Sequence, residues 1–169
     1  MRDIVFVGGI HGVGKSTFCS KVCNEVSRVH LKASELLKWE EISDADNKEV
    51  GDIQYTQNRL INGLNNVFKK DESYLIDGHY CLFGLDGRIE NVPVSTFKEI
   101  NPKMLIIVTL NPKIIKERLE KRDKKKYELN HIDKLQRAEL KHANHISKTL
   151  EVPLIEIKDE EYSPIINLL

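Results

Sequence analysis

No apolar run in the 169-residue sequence approaches the ~20 residues that a membrane-crossing helix needs. The first such run, Ile4 to Val7, is too short for a secretory leader and leads straight into glycines, so no signal peptide is expected. Neither sign of charge is in surplus: 26 Lys+Arg stand against 26 Asp+Glu, a formal net charge of zero. That balance argues against a membrane surface or a long nucleic acid as partner. Cysteine is scarce. Cys19, Cys23 and Cys81 are odd in number and lack zinc-finger spacing, so neither a disulfide framework nor a structural zinc site is expected. Cys19 and Cys23 lie four apart on an expected helix, share its face as reduced thiols, and point to the cytosol. Repeats and dividing linkers are also missing. A single domain over 1–169, with one sizeable core, is the expectation. Nothing in the chain sets an oligomeric state.

What is present begins with Gly9-Ile10-His11-Gly12-Val13-Gly14-Lys15-Ser16-Thr17. This is G-x-x-x-x-G-K-S, flanked by an apolar β-branched run and by a segment with Phe18, Val22 and Val26 at helical spacing. Strand, glycine loop and helix together make a phosphate cradle. The glycines let backbone N–H groups converge, and the helix start adds unpaired N–H groups and a positive dipole end. Lys15 supplies a mobile cation, and the Ser16 hydroxyl is the expected magnesium ligand.

The rest of the chain alternates strand and helix. Strands are expected at 3–8, 30–33, 73–77, 103–110 and 153–157, the fourth being the most apolar and hence central. Helices are expected at 15–28, 35–41, 52–70, 93–99, 112–122 and 130–150. Ser34 is placed as the cap of the second helix, and the polar stretch 43–48 as its break. Ile53, Leu60, Leu64 and Val67 mark the core side of the third. Residues 80–92 read as a small hairpin excursion turning at Leu85-Asp86-Gly87-Arg88. The alternation implies an α/β, three-layer fold, a five-stranded parallel sheet flanked by helices with its site beyond the C-terminal strand ends, and with the glycine loop it resembles the P-loop NTPase fold.

Two further sets carry chemistry. Asp77 closes the third strand, where an acid can organise magnesium with Ser16. Arg118 and Arg122 project from one helix face, and Arg137 lies on the next helix across a charged loop. Such a helix–loop–helix, with a lid at about 123–130, can fold guanidinium forks over a polyphosphate and exclude water. The run Lys124-Lys125-Lys126 reads as solvent-facing.

With these pieces in hand, the chain resembles the P-loop nucleoside monophosphate kinases, most of all archaeal-type adenylate kinases and their bacterial homologues. Beyond the loop, the resemblance rests on Ala33-Ser34-Glu35-Leu36-Leu37, Ile76-Asp77-Gly78-His79, Asn111-Pro112 with Arg118 and Arg122-Asp123, and Gln136-Arg137-Ala138. It implies ATP-dependent phosphoryl transfer with Mg2+ to a small acceptor. It places Gly9, His11, Gly12, Val13, Gly14, Lys15, Ser16 and Thr17 on ATP. It sets Lys15, Asp77, Arg118, Arg122 and Arg137 around the transferring group. Ser34, Lys38, Arg59 and His79 then face the acceptor from the segment of about 34–60 and from the third strand's end. The chain departs from the family pattern at two places: Lys38 and Cys81 stand where arginines grip the acceptor's phosphate.

Three functions stay open at this point. One is a nucleotide kinase. Another is a kinase for a hydroxyl on a nucleoside, metabolite or polynucleotide end, with Asp77 or His79 as base. The third is an ATP-binding regulatory protein without transfer, which the arginine set disfavours. A GTPase is disfavoured because no Asn-Lys-x-Asp motif occurs.

Overall fold

The computed structural model describes residues 3–39, 53–84 and 86–169, with the side chains of Lys38, Trp39, Ile53 and Gln54 outside the described set. The polar break at 43–48, Leu85 of the turn, and the expected side-chain roles of Lys38, Trp39 and Ile53 therefore lie outside the described residues.

In chain order the elements are β1 (Asp3–Gly8), α1 (Lys15–Glu25), β2 (Val29–Lys32), α2 (Ala33–Trp39), α3 (Ile53–Val67), β3 (Ser73–Asp77), β4 (Cys81–Phe83), β5 (Ile89–Asn91), α4 (Val94–Ile100), β6 (Met104–Thr109), α5 (Pro112–Asp123), α6 (Leu129–Leu150), β7 (Leu154–Lys158) and α7 (Ser163–Ile166). β2, β3, β1, β6 and β7 form a parallel sheet in that order, and β4 pairs with β5 as a separate antiparallel hairpin. β1 is the middle strand, with β6 beside it.

The sheet's two faces can be read from the two-residue period of its strands. Val5, Val7, Leu75, Ile106 and Val108 face a core closed by Phe18, Cys19 and Val22 of α1, Ile115 and Leu119 of α5, and Ile165 of α7. Ile4, Phe6, Tyr74, Ile76, Leu105 and Ile107 face the opposite core, closed by Leu36 of α2, Leu60 and Leu64 of α3, and Phe97 of α4. α6 serves both cores, with Ile132 in the first and Ala143 and Ile146 in the second. Each such aliphatic or aromatic side chain contributes about 1.5–3 kcal/mol on leaving water.

Helix starts follow local chemistry. Pro112 takes the first turn of α5, and the Asn111 carboxamide accepts from the Lys113 N–H at 2.9 Å. The expected cap at Ser34 is not what the chain does: β2 passes directly into α2 at Ala33, so Ser34 sits inside the first turn with its side chain exposed. α1 ends at Glu25 rather than 28, where Val26 turns extended.

Candidate active site

The glycine loop links β1 to α1 at the C-terminal edge of the sheet, where β3, β6 and β7 also end. It turns on Gly9, Gly12 and Gly14, whose φ values of 144°, 79° and 103° are ones that side-chain-bearing residues avoid. A Cβ on Gly9 would also meet the Val108 carbonyl oxygen at 2.6 Å. Lys15 is 7% exposed, and its ammonium donates to Gly9 O at 2.7 Å and Ile10 O at 3.2 Å. Burial lowers the Lys15 pKa, while Asp77 and Glu139 work to raise it.

Ser16 Oγ donates to Asp77 Oδ2 at 2.9 Å, joining α1 to the end of β3. Burial by itself would raise the Asp77 pKa. His30, the Lys15 ammonium and the Ser16 hydroxyl outweigh it and hold the carboxyl below its ordinary value. Ser16 and Asp77 fit a hard divalent ion: bonds of 2.0–2.1 Å at right angles put neighbouring oxygens about 2.9 Å apart.

A second cluster borders the loop. The His11 and His79 rings lie 4.5 Å apart by centroid. Burial, with His79, Lys15 and Arg122 nearby, pushes the His11 pKa down to about 3, so the ring is neutral near pH 7. His79 Nδ1 faces Glu139 Oε1 at 3.3 Å, and Glu139 Oε2 accepts from the Tyr80 N–H at 2.8 Å. Glu139 is wholly buried. It ties α6 to the turn after β3 and so sets where His79 stands.

The arginines divide. Arg118 reaches back to the loop: Nη1 lies 3.5 Å from Gly12 O, while Nη2 donates to Glu160 Oε1 at 2.9 Å. Arg122 forks onto Asp123 at 2.7 and 3.0 Å, Tyr127 donates to the same carboxylate, and the Arg122 charge is felt at His11. Arg137 is not brought to the loop. It pairs with Asp133 one turn earlier at 2.8 Å, is 79% exposed, and borders a cleft of about 350 Å³ with Thr109, Asn111, Glu156 and Lys158. α6 turns that position toward the ends of β6 and β7, because Gln136, bonded to Leu110 N and O, and Glu139 take the inward places.

Of the residues expected to face an acceptor, Ser34 is exposed on α2 and Arg59 lies on α3 with its guanidinium 5.8 Å from the Tyr55 ring. Cys81 is buried and its thiol donates to Asn91 Oδ1 at 3.3 Å, so it serves the β4–β5 hairpin. Glu139, His30 and Glu160 are the site residues that sequence reading missed. Glu139 had a signal: it falls in register with Ile132, Leu135, Ala143 and Ile146, a carboxylate in an apolar stripe.

Comparison with known proteins adds identity to this geometry. Residues 8–136 match the AAA domain family (AAA_17), well over half of the chain. The chain belongs to the AAA domain family. The match takes in the glycine loop, Asp77 and both arginines of α5, so this AAA domain is a P-loop kinase-like domain. It is also 25% identical over 118 residues to a protein of Methanocaldococcus jannaschii named "Putative adenylate kinase". The match covers 70% of this chain and 58% of that protein's length. Both findings support a place in the P-loop nucleoside monophosphate kinase superfamily. In overall fold, this AAA domain is similar to the crystal structure of an uncharacterized protein from Eubacterium ventriosum, with a TM-score of 0.53 at 11% identity, over 98% of this chain and 94% of that one. Among the described residues no helix is long and apolar enough to cross a membrane.

Proposed function

We propose that the protein is an ATP-dependent kinase of the adenylate-kinase-like group, transferring a phosphoryl group to a small acceptor, a nucleoside monophosphate first, in the cytosol. The observation that carries the reading is the set of Lys15, Ser16 and Asp77 at one loop mouth, with the hydroxyl and carboxylate oxygens 2.9 Å apart. A nucleotide holder needs the loop alone; a transferase also needs charge placed where the phosphoryl group moves.

In this reading the loop from Gly9 to Thr17 cradles the ATP phosphates, with His11 and Val13 in its wall. Lys15 exchanges its carbonyl partners for phosphate oxygens and follows the moving group. Ser16 and Asp77 would hold Mg2+, which when bound neutralises charge on the phosphates. Arg118 neutralises charge on the loop's outer side, released from Glu160 as phosphate arrives. Arg122 and the loop 124–128 act as a short lid. Ser34 and Arg59 border the acceptor, which comes in from the α2–α3 side. Arg137 is left out of the transferring set because its observed contacts lie on the other cleft.

A hydroxyl acceptor is the second reading, favoured by one observation. Glu139 engages His79 Nδ1, which leaves Nε2 as the ring atom able to take a proton. One experiment separates these readings. Protein with MgATP is given monophosphates, nucleosides and hydroxyl compounds in turn, and ADP is measured. ADP only with monophosphates supports the first reading, and ADP only with hydroxyl acceptors the second. Lys15→Ala should lower transfer by roughly 10²–10³-fold while the fold is kept. Full activity in Lys15→Ala, or ADP release indifferent to every acceptor, would overturn the kinase assignment.

A further inference from the structure

Beneath the loop lies a group of side chains that the proposed transfer uses only in part. Cys19 Sγ, a His30 ring nitrogen and an Asp77 carboxylate oxygen all lie within 4.8 Å of one another. They come from three elements. Cys19 is in the second turn of α1 and fully buried, His30 is on β2, and Asp77 ends β3. His30 Nε2 is buried without a hydrogen-bond partner among the described residues. It stands 3.5 Å from Asp77 Oδ2, long for a hydrogen bond. That separation suits two ligands of one ion. With bonds of about 2.0–2.3 Å, tetrahedral N, O and S ligands lie roughly 3.3–3.6 Å apart, so the thiol has at most about 1.2–1.5 Å to close.

We propose that Cys19, His30 and Asp77 form a three-ligand site for a thiophilic divalent cation of the zinc class, and that filling it draws Asp77 away from Ser16. The donor set selects the ion: thiolate and imidazole suit zinc and are poor magnesium ligands. On binding, the Cys19 thiol loses its proton to solvent as the metal–sulfur bond forms, so uptake strengthens as pH rises. Burial and the nearby Asp77 charge push the free thiol's pKa up, which the ion's charge offsets. Thiolate and carboxylate together balance the two positive charges. The Lys15 ammonium stays on the Gly9 and Ile10 carbonyls. Because Asp77 Oδ2 is also the acceptor for Ser16, the two metals compete for one carboxylate. Only this competition rests on the kinase reading; the binding itself does not.

The test uses the full chain with zinc or cobalt(II) ions alone. One equivalent is expected to bind, and cobalt is expected to give a thiolate-to-metal charge-transfer band. Cys19→Ser and Cys19→Ala should abolish the band, and each, like His30→Gln, should weaken zinc binding at least about tenfold. Cys23→Ser, whose thiol is outside the cluster, should stay within about twofold. Circular dichroism melts establish that each variant is folded. Absence of zinc uptake by the folded wild type, or folded Cys19 and His30 variants that bind as it does, overturns the site. Competition is read separately, without turnover, from binding of a fluorescent ATP analogue with magnesium. Zinc should weaken it in the wild type and not in Cys19→Ser. Zinc that binds through Cys19 and His30 yet leaves magnesium-nucleotide binding unchanged overturns the competition and leaves the site standing.

Discussion

Replacing Glu139 by alanine is expected to destabilise the protein by about 2–4 kcal/mol, through the loss of one buried acceptor and the space it fills. The carboxylate is wholly buried and accepts from the Tyr80 N–H at 2.8 Å. Without it that amide is left unpaired next to a buried ring, at about 1–3 kcal/mol. A cavity of roughly 50 Å³ at about 24 cal/mol per Å³ adds about 1 kcal/mol. Removing a buried charge returns part of this, which sets the upper bound. Glu139→Gln is the informative partner. Its carbonyl still accepts from Tyr80, and its amide donates to His79 Nδ1, so the expected loss is under about 1 kcal/mol. Urea unfolding followed by circular dichroism measures both, with the slope m unchanged. In thermal melts the alanine variant should fall by about 4–16 °C, at roughly 2–4 °C per kcal/mol for this size. An alanine variant within about 0.5 kcal/mol of wild type would refute the reasoning, because surface substitutions behave that way. A glutamine variant as damaged as alanine would show that charge, not the Tyr80 bond, holds the turn.

Arg118→Ala should lower turnover by roughly tenfold or more, whereas Arg137→Ala should stay within about threefold; steady-state kinetics decide, and the reverse order would mean that α6 swings over the loop. Gly8→Ala should fail to fold or melt far below wild type, since its Cβ would sit 2.1 Å from the Tyr80 ring, which is fully buried and donates through Oη to Ile106 O; a normal melt would show that this ring can move. His11 should titrate below its ordinary value near 6.5 by NMR, because desolvation and the neighbouring His79, Lys15 and Arg122 charges all lower it. The sign follows: below its ordinary value near 6.5 the unfolded chain takes up the proton first, so stability falls as pH drops through the window from about 6.5 to 3. The effect is small because part of the ring is open to water. His11→Asn should remove that component of the acid sensitivity, and an unchanged pH profile would show that His11 does not carry it.

By itself the sequence determined the strands, most helix starts and the phosphate loop. Each of these is a local property: alternation along a strand, proline and asparagine at the start of α5, and glycines at angles other residues avoid. Asp77 was legible for the same reason, being the first polar residue after a buried run. The pairing order, with β1 in the middle, and the role of each charged side chain on α5 and α6 were decided only by tertiary structure. Arg118 and Arg137 look alike in sequence. Which one meets the loop depends on how far each helix is rotated about its axis, and that rotation is set by Ile115 and Leu119 in one helix and by Gln136 and Glu139 in the other. Cys19, His30 and Asp77 are likewise scattered along the chain and become neighbours only because α1 packs across the ends of β2 and β3. Contacts between residues so far apart in sequence leave no local pattern to read.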